Sequence, residues 1–390
     1  MTKTFMILLS ITIINMACIT HTEPSMASAI GLENTDNQED DQKASRIQVA
    51  ILLDTSSSMD GLINQAKSQL WKMVNELAVS KKNGVAPDIE IALYDYGNST
   101  ISASNGYVRQ IIPLTRDLDL VSEKLFSLTT QGGDEYCGRV IQEATNVLEW
   151  TGNHNDLQLI FIAGNEPFTQ GPVDYRDACK NAIEQGIIVN TIHCGDYQVG
   201  VRTNWKDGAD LADGKYLNID QDDEVVHIPT PFDDEIMRLN QSLNQTYIGY
   251  GSLGATNLER QAKQDANAGS FGSANTVERA VAKSKRSLYK NTEWDLVDAV
   301  EEDAEVMEEL EEEQLPEEMR NMSAEERKAY VEEKAEERSK IQDEINELDK
   351  KRKAFISEER KTNAEKLTLD NVMLETVRSQ AKEKNFKFEE

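Results

Sequence analysis

The chain has 390 residues, 70 of them acidic against 41 basic, for a net charge of −29. A charge of that sign argues against nucleic acid and anionic membrane surfaces as partners, because both would repel it. The length and the 39% hydrophobic content suffice for one α/β domain of ordinary size plus a second region, and much of the acidity lies beyond Asp295, in that second region.

At the start of the chain, Lys3 precedes an apolar segment, residues 5–17, which Ser10, Thr12 and Asn15 interrupt and which is too short to span a bilayer stably. Residues 1–29 therefore read as an export signal, which directs the chain to the periplasm or cell envelope. Two exits are open. Cleavage before Cys18 would leave a lipid anchor there, although Asn15 stands where an aliphatic residue is usual; Ala27 and Ala29 offer an ordinary signal peptidase site. Residues 30–45 are polar and charged and read as a linker. In an oxidising compartment Cys137, Cys179 and Cys194 could form one disulfide, in any of three pairings, and leave one thiol. A metal site built from these three and His193 lacks a CxxC pair, and buried structural cysteines are the default.

The domain starts near Arg46. Residues 47–53 form an almost unbroken apolar run, as a strand buried on both faces requires, and it stops at Asp54 followed by Thr55, Ser56, Ser57 and Ser58. From Gly61 onward Leu62, Ile63, Ala66, Leu70, Met73, Val74 and Leu77 recur at helical spacing. Asp54, Ser56 and Ser58 thus occupy the loop between a central strand and its crossover helix, where open α/β sheets bind ligands. One carboxylate and two hydroxyls spaced by two are hard oxygen donors that suit Mg²⁺, Ca²⁺ or Mn²⁺ and not Zn²⁺. The competing reading makes Ser58 or Asp60 the cap of the helix.

Residues 89–94 are a second strand, and residues 107–112 a third, antiparallel at an edge because only a short turn separates the two. A helix over 117–128 leads into a loop with the pair Gly132-Gly133 followed by Asp134 and Glu135, then a helix over 139–150. A buried strand over 157–163 ends in Gly164, Asn165, Glu166 and Pro167. A helix over 173–185, a strand over 187–193, a short helix over 205–212, a strand over 216–219 and a helix over 231–248 complete the series. Strand and helix alternate about six times, the signature of a doubly wound, mostly parallel α/β sheet whose carboxyl-end loops converge.

With that context Asp54, Ser56 and Ser58 resemble the DxSxS loop of the metal-ion-dependent adhesion site of von Willebrand factor type A domains, and the element order over 46–250 is similar to that fold. The resemblance implies a divalent cation and a partner protein that completes its coordination with an acidic group. In the family a second loop supplies a threonine after a glycine pair, where this chain has Asp134, and a third supplies an aspartate at a strand end, where this chain has Gly164. Asp134 is accordingly expected as a metal ligand that restores the lost negative charge, with Asn165 or Glu166 either reaching the ion through water or merely shaping the turn. Asp207, Asp210, Asp213, Asp220, Asp222 and Asp223 lack the spacing of a calcium loop, and nothing beside His154 or His227 in the sequence supports a catalytic role for either.

Residues 251–275, rich in Gly, Ala, Ser and polar side chains, read as a flexible linker. Residues 276–390 read as an acidic helical region. Ser323 and Glu326 form a capping box ahead of a long helix, in which Val331, Ile341, Ile345, Leu348 and Phe355 suggest a short coiled coil interrupted by Arg338 and Arg352. The alternative is a lone charged helix packed on the domain. No phosphate loop, nucleophile elbow or HExxH helix occurs, so the expectation is an exported, non-enzymatic, metal-dependent binding protein whose tail supplies self-association. The rival is a structural envelope protein with a degenerate site that binds through its helices.

Overall fold

The computed structural model describes residues 44–219, 227–362 and 369–388. The export segment, Cys18, most of the 30–45 linker, and Asp220, Asp222 and Asp223 lie outside the described residues. In chain order the α/β part comprises β1 (Arg46–Asp54), α1 (Asp60–Ala78), β2 (Ser80–Lys81), β3 (Asp88–Tyr96), β4 (Val108–Thr115), α2 (Leu118–Phe126), α3 (Cys137–Val147), β5 (Leu157–Gly164), α4 (Tyr175–Glu184), β6 (Ile188–Cys194), α5 (Tyr197–Arg202), α6 (Trp205–Asp210) and β7 (Tyr216–Ile219). The chain continues through α7 (Asp233–Asn244), α8 (Gly254–Ser270), α9 (Ser273–Ser284), α10 (Leu296–Glu302), α11 (Val306–Glu309), α12 (Ala324–Thr362), α13 (Leu369–Glu383) and β8 (Lys387–Phe388).

Six strands form one sheet in the order β4-β3-β1-β5-β6-β7, parallel except for β4, which pairs antiparallel with β3 at the edge. The chain steps from β1 to β3 on one side and returns to β5 on the other, so the topological switch point lies beside β1. Alternate side chains of the central strands enter two cores. Val49, Leu53, Leu159 and Phe161 face α1, α2 and α13, whereas Ala50, Leu52, Ile160 and Ile162 face α3, α4 and α6. The continuous apolar run of β1 is thus the signature of a strand covered on both faces. Cys137, Cys179 and Cys194 are buried free thiols rather than a disulfide.

Two expectations for the second half need correction. The stretch 251–275 is no flexible linker: α8 and the start of α9 occupy it, and several of its polar side chains, among them Asn257, Gln261, Gln264 and Asn275, are buried. Gln264 is fully buried and accepts from the Ser122 hydroxyl at 3.0 Å, and Asp265 accepts from Asn240, Asn244 and Arg279. Gly249 and Gly254 approach so closely that a Cβ on Gly254 would lie 2.5 Å from the Gly249 carbonyl carbon, which is why small residues populate this turn.

The long helix α12 begins at the expected capping box, with Ser323 N–H donating to Glu326 Oε2 at 2.8 Å and Glu326 N–H to Ser323 Oγ at 3.3 Å. Its apolar stripe, however, is covered within the same chain. Ile341 and Ile345 pack with Ile236, Leu239, Leu243, Val277 and Val281 of α7 and α9, and Val331 packs with Leu296, Val297, Leu315 and Met319. A coiled coil offered to a second copy is therefore not what this stripe forms. Arg338 and Arg352, which break the heptad pattern, are buried ion-pair partners: Arg338 of Asp295 and Asp298, Arg352 of Asp233 and Glu278.

The last segment returns to the sheet. α13 lies against α1 and β7, with Val377 and Ala381 fully buried, and Gln380 exchanges two side-chain hydrogen bonds with Asn190 of β6 at 3.0 and 2.7 Å. β8 then pairs with β2, so the α/β domain is closed by the carboxyl-terminal end of the chain.

Candidate metal site

The site is built on strand register. Asp54 pairs with Tyr96, and Leu53 with both Asp95 and Ala163, which sets Asp54, Tyr96 and Gly164 side by side where β1, β3 and β5 end. Asp54 is fully buried; its Oδ1 accepts from Ser56 N–H at 2.7 Å, while Oδ2 has no hydrogen-bond partner. Thr55 ties the turn to β3 through its N–H and hydroxyl, both donated to the Tyr96 carbonyl. The Ser56 and Ser58 hydroxyls lie 3.3 Å apart. The helix that follows is capped at Met59 without any side-chain bond, so neither serine serves as its cap.

The second loop, residues 129–136, is laid over this turn in extended form. Gln131 N–H donates to the Thr55 carbonyl at 2.9 Å, Thr130 Oγ1 donates to Asp60, and Asn98 Nδ2 bridges the Thr55 and Thr129 carbonyls. Gly133 is needed where it stands, since a Cβ there would come within 2.7 Å of the Gly97 carbonyl oxygen. In an extended segment alternate side chains point to opposite sides. Asp134 and Tyr136 share one side: both face outward, and the Tyr136 hydroxyl donates to Asp134 Oδ2 at 3.2 Å. Glu135 takes the other side and is 6% exposed, next to Asp54 and Ser56, with Oε2 buried and unpartnered. Asp134, the expected ligand, thus stands on the exposed face of the loop, and its neighbour Glu135 is the residue that faces Asp54.

The third loop departs from the family in the way the sequence indicated. A Cβ on Gly164 would lie 2.5 Å from the Tyr96 hydroxyl and 3.1 Å from Asp54 Cβ, so the place of a side chain is filled by Tyr96, whose hydroxyl donates to the Ala163 carbonyl at 2.9 Å. Asn165 Nδ2 donates to Ser58 Oγ at 3.1 Å and holds that hydroxyl in position, while its own Oδ1 is buried without a partner. Glu166 is exposed, near enough for its charge to act on Asp54 and Glu135.

Burial pushes the Asp54 carboxyl up to about 6, against hydrogen bonds from Ser56. Burial and then the adjacent Asp54 push Glu135 up to about 9. Two carboxyl groups without a countercharge in a desolvated pocket disfavour ionisation, and a cation between them would reverse both effects. Among the described residues no three His, Cys, Asp or Glu side chains gather as a metal cage. The donors here are instead two carboxyls and two hydroxyls, with orphaned oxygens on Asp54 and Glu135, and that set fits a hard divalent ion.

Two carboxyls and two hydroxyls thus come together at the switch point of a doubly wound sheet, the place where such α/β sheets bind ligands. Residues 48–206 match the family model of the von Willebrand factor type A domain, and this part of the chain is such a domain. These domains are generally interaction modules rather than enzymes, and they often bind a divalent cation. Similar solved structures include the conserved hypothetical protein BatB from Bacteroides thetaiotaomicron, 18% identical over 45% of this chain and 90% of that one, with a TM-score of 0.34. The SpRpn10 VWA domain is 18% identical over 46% of this chain and 90% of that one, with a TM-score of 0.34. An aerotolerance-related membrane protein from Bacteroides fragilis NCTC 9343 is 16% identical over 45% of this chain and 92% of that one, with a TM-score of 0.32. No curated protein matches the chain. Among the described residues no helix is long and apolar enough to cross a membrane.

Proposed function

We propose that the chain is an exported, non-enzymatic binding protein of the periplasm or cell envelope that engages a protein partner through a divalent cation, Mg²⁺, Ca²⁺ or Mn²⁺, held at Asp54, Ser56 and Ser58. Cleavage before Cys18 would add a lipid anchor. The observation that carries the reading is the Asp54 carboxyl: it is fully buried at the end of the central strand, one oxygen has no partner, and two hydroxyls that cap no helix lie beside it. A buried, unpaired carboxylate is costly, and a cation with water or a partner's oxygen is the ordinary way to satisfy it. When bound, the ion would supply an open coordination position for an acidic side chain of the partner. The chain's own residues do the positioning: Thr55 pins the turn to β3, and Asn165 orients Ser58. The rival reading, binding through the helical region, loses its support because the stripe on α12 is covered within the chain.

Calorimetric titration of the full chain with Mg²⁺, Ca²⁺ and Mn²⁺, paired with melting curves, tests this. An ion present at a hundred times its Kd adds about 2.7 kcal/mol to stability. A higher Tm with ions is expected for the native chain and no change for Asp54→Ala. Identical melting of the native chain with and without each ion would overturn the reading.

A further inference from the structure

Resting on the cation reading above, we propose that Glu135, and not Asp134, is the second anionic ligand of the site, brought in from the loop opposite the one that supplies a carboxylate elsewhere in the family. Three observations converge. First, Glu135 and Asp54 border the same space: a Cβ on Gly97 would lie 2.7 Å from Glu135 Cγ and 2.9 Å from Asp54 Oδ1, so the absence of a side chain at Gly97 is what lets the two carboxyls face each other. Gly97 also has φ +76°, which only glycine adopts without strain. Second, each of the two carboxyls keeps one buried oxygen, Asp54 Oδ2 and Glu135 Oε2, that has no hydrogen-bond donor, and the two groups lie against each other so that only a shared proton or a cation can join them. Water cannot reach either oxygen freely, and neither has a cationic side chain as an ion-pair partner among the described residues. Third, the inward facing of Glu135 is enforced. Its N–H donates to Gln170 Oε1 at 2.5 Å, and the Tyr136 ring beside it is wedged against Tyr107, at 5.7 Å between centroids, and against Gly171, where a Cβ would sit 2.6 Å from the ring. With 136 held on one side of an extended segment, 135 must point to the other.

The third loop shows the complementary change. Tyr96 fills the space beside Gly164, so a carboxylate cannot return there without displacing a fully buried phenol. The negative charge lost at Gly164 is regained across the hollow at Glu135. Two carboxylates then balance the charge of a divalent ion, with Ser56 and Ser58 as neutral donors, and Asp134 remains on the rim beside Tyr136.

The test is calorimetric titration of the full chain and four variants with Ca²⁺ and, separately, Mg²⁺, with metal-free melting curves and far-ultraviolet circular dichroism to establish that each variant folds. Asp54→Asn should abolish binding. Glu135→Gln should weaken binding by at least about tenfold, the lower end of what loss of even an outer partner costs a metal site. Asp134→Asn should stay within about twofold of the native chain, because it touches no ligand. Glu135→Asp, which keeps the charge but retracts it by one methylene, should bind with intermediate affinity and serves in place of the amide if that variant does not fold. Binding that survives Asp54→Asn would remove the cation reading and this assignment with it. Binding lost in Asp54→Asn but kept within twofold in Glu135→Gln, or lost in Asp134→Asn instead, would leave the cation at Asp54 and overturn Glu135 alone.

Discussion

At the scale of single residues the hollow is decided by who fills the space beside Asp54. Tyr96 and Gly164 behave as one unit: the phenol reaches across the end of β1 because Gly164 has no side chain. Gly164→Ala should therefore destabilise the chain by about 1–3 kcal/mol, the usual range for overpacking a filled core. Tyr96→Phe removes the hydroxyl that the new methyl would strike, and the double variant should be less destabilised than the sum of the two singles, as contacting residues couple. Urea denaturation of the four proteins measures this, and strict additivity would show that Tyr96 does not occupy the place of the missing side chain. Asp54, Ser56 and Ser58 were legible in the sequence because an apolar run, a polar break and a three-and-four apolar pattern place them without further information. The choice between Asp134 and Glu135 was not. Neighbours on an extended loop face opposite ways, and which of them turns inward is settled by Gln170 and Gly171, both contributed by a different loop.

At the scale of elements the doubly wound sheet was readable from period and run length alone, because each strand's pattern reports its own burial. The helical region was harder for a physical reason: its polarity is satisfied by partners far away in sequence. Gln264 and Asp265 make the α8 segment look soluble and loose, yet they bond to α2, α7 and α9. Likewise Arg338 and Arg352 look like flaws in a heptad, but they fix where α12 sits. Arg338 is 4% exposed and donates to Asp295, to Asp298 and to the Thr246 carbonyl, with its guanidinium 4.1 Å from the centre of the Tyr247 ring. Arg338→Ala would leave Asp295 buried with its ion-pair partner gone, and the expected loss is about 3–5 kcal/mol. Lys328 on the same helix pairs with Glu332 at 3.9 Å with both side chains mostly exposed, and Lys328→Ala should cost less than about 1 kcal/mol. Equal losses in urea titrations of the two variants would mean that α12 is held by apolar contact and not by its buried charges.

At the scale of the whole molecule, a chain of net charge −29 is drawn together by a few buried cations, each paired with acids from other elements. This gives its stability a particular dependence on pH. Burial alone would raise the Asp265 carboxyl, but Lys283 and Arg279 outweigh it and hold the group well below the usual carboxylate range; Glu278 is also lowered, Arg352 outweighing its burial. A carboxyl held low in the folded state contributes stability that is complete above its unfolded value, near 4, and is lost as pH falls through the folded one. Asp298 has the opposite sign. Burial and the adjacent Asp295 push it up to about 6, so the folded state takes up a proton before the unfolded state does, and stability rises as pH falls from above 6 toward 4. Protonation also relieves the repulsion among 70 carboxylates, which acts in the same direction over that range. At low salt the Tm should accordingly be higher at about pH 5 than at pH 7 and should fall steeply below about pH 4. Salt separates the two contributions, because it screens the diffuse repulsion far more than it screens the buried pairs. Added NaCl should raise the Tm at pH 7, and it should leave the acid limb in place. A Tm that declines steadily from pH 7 to pH 5 at low salt would mean that the raised carboxyls, Asp298 with Asp54 and Glu135, and the surface repulsion are together outweighed by groups of the opposite sign, of which His193, lowered by burial, is one.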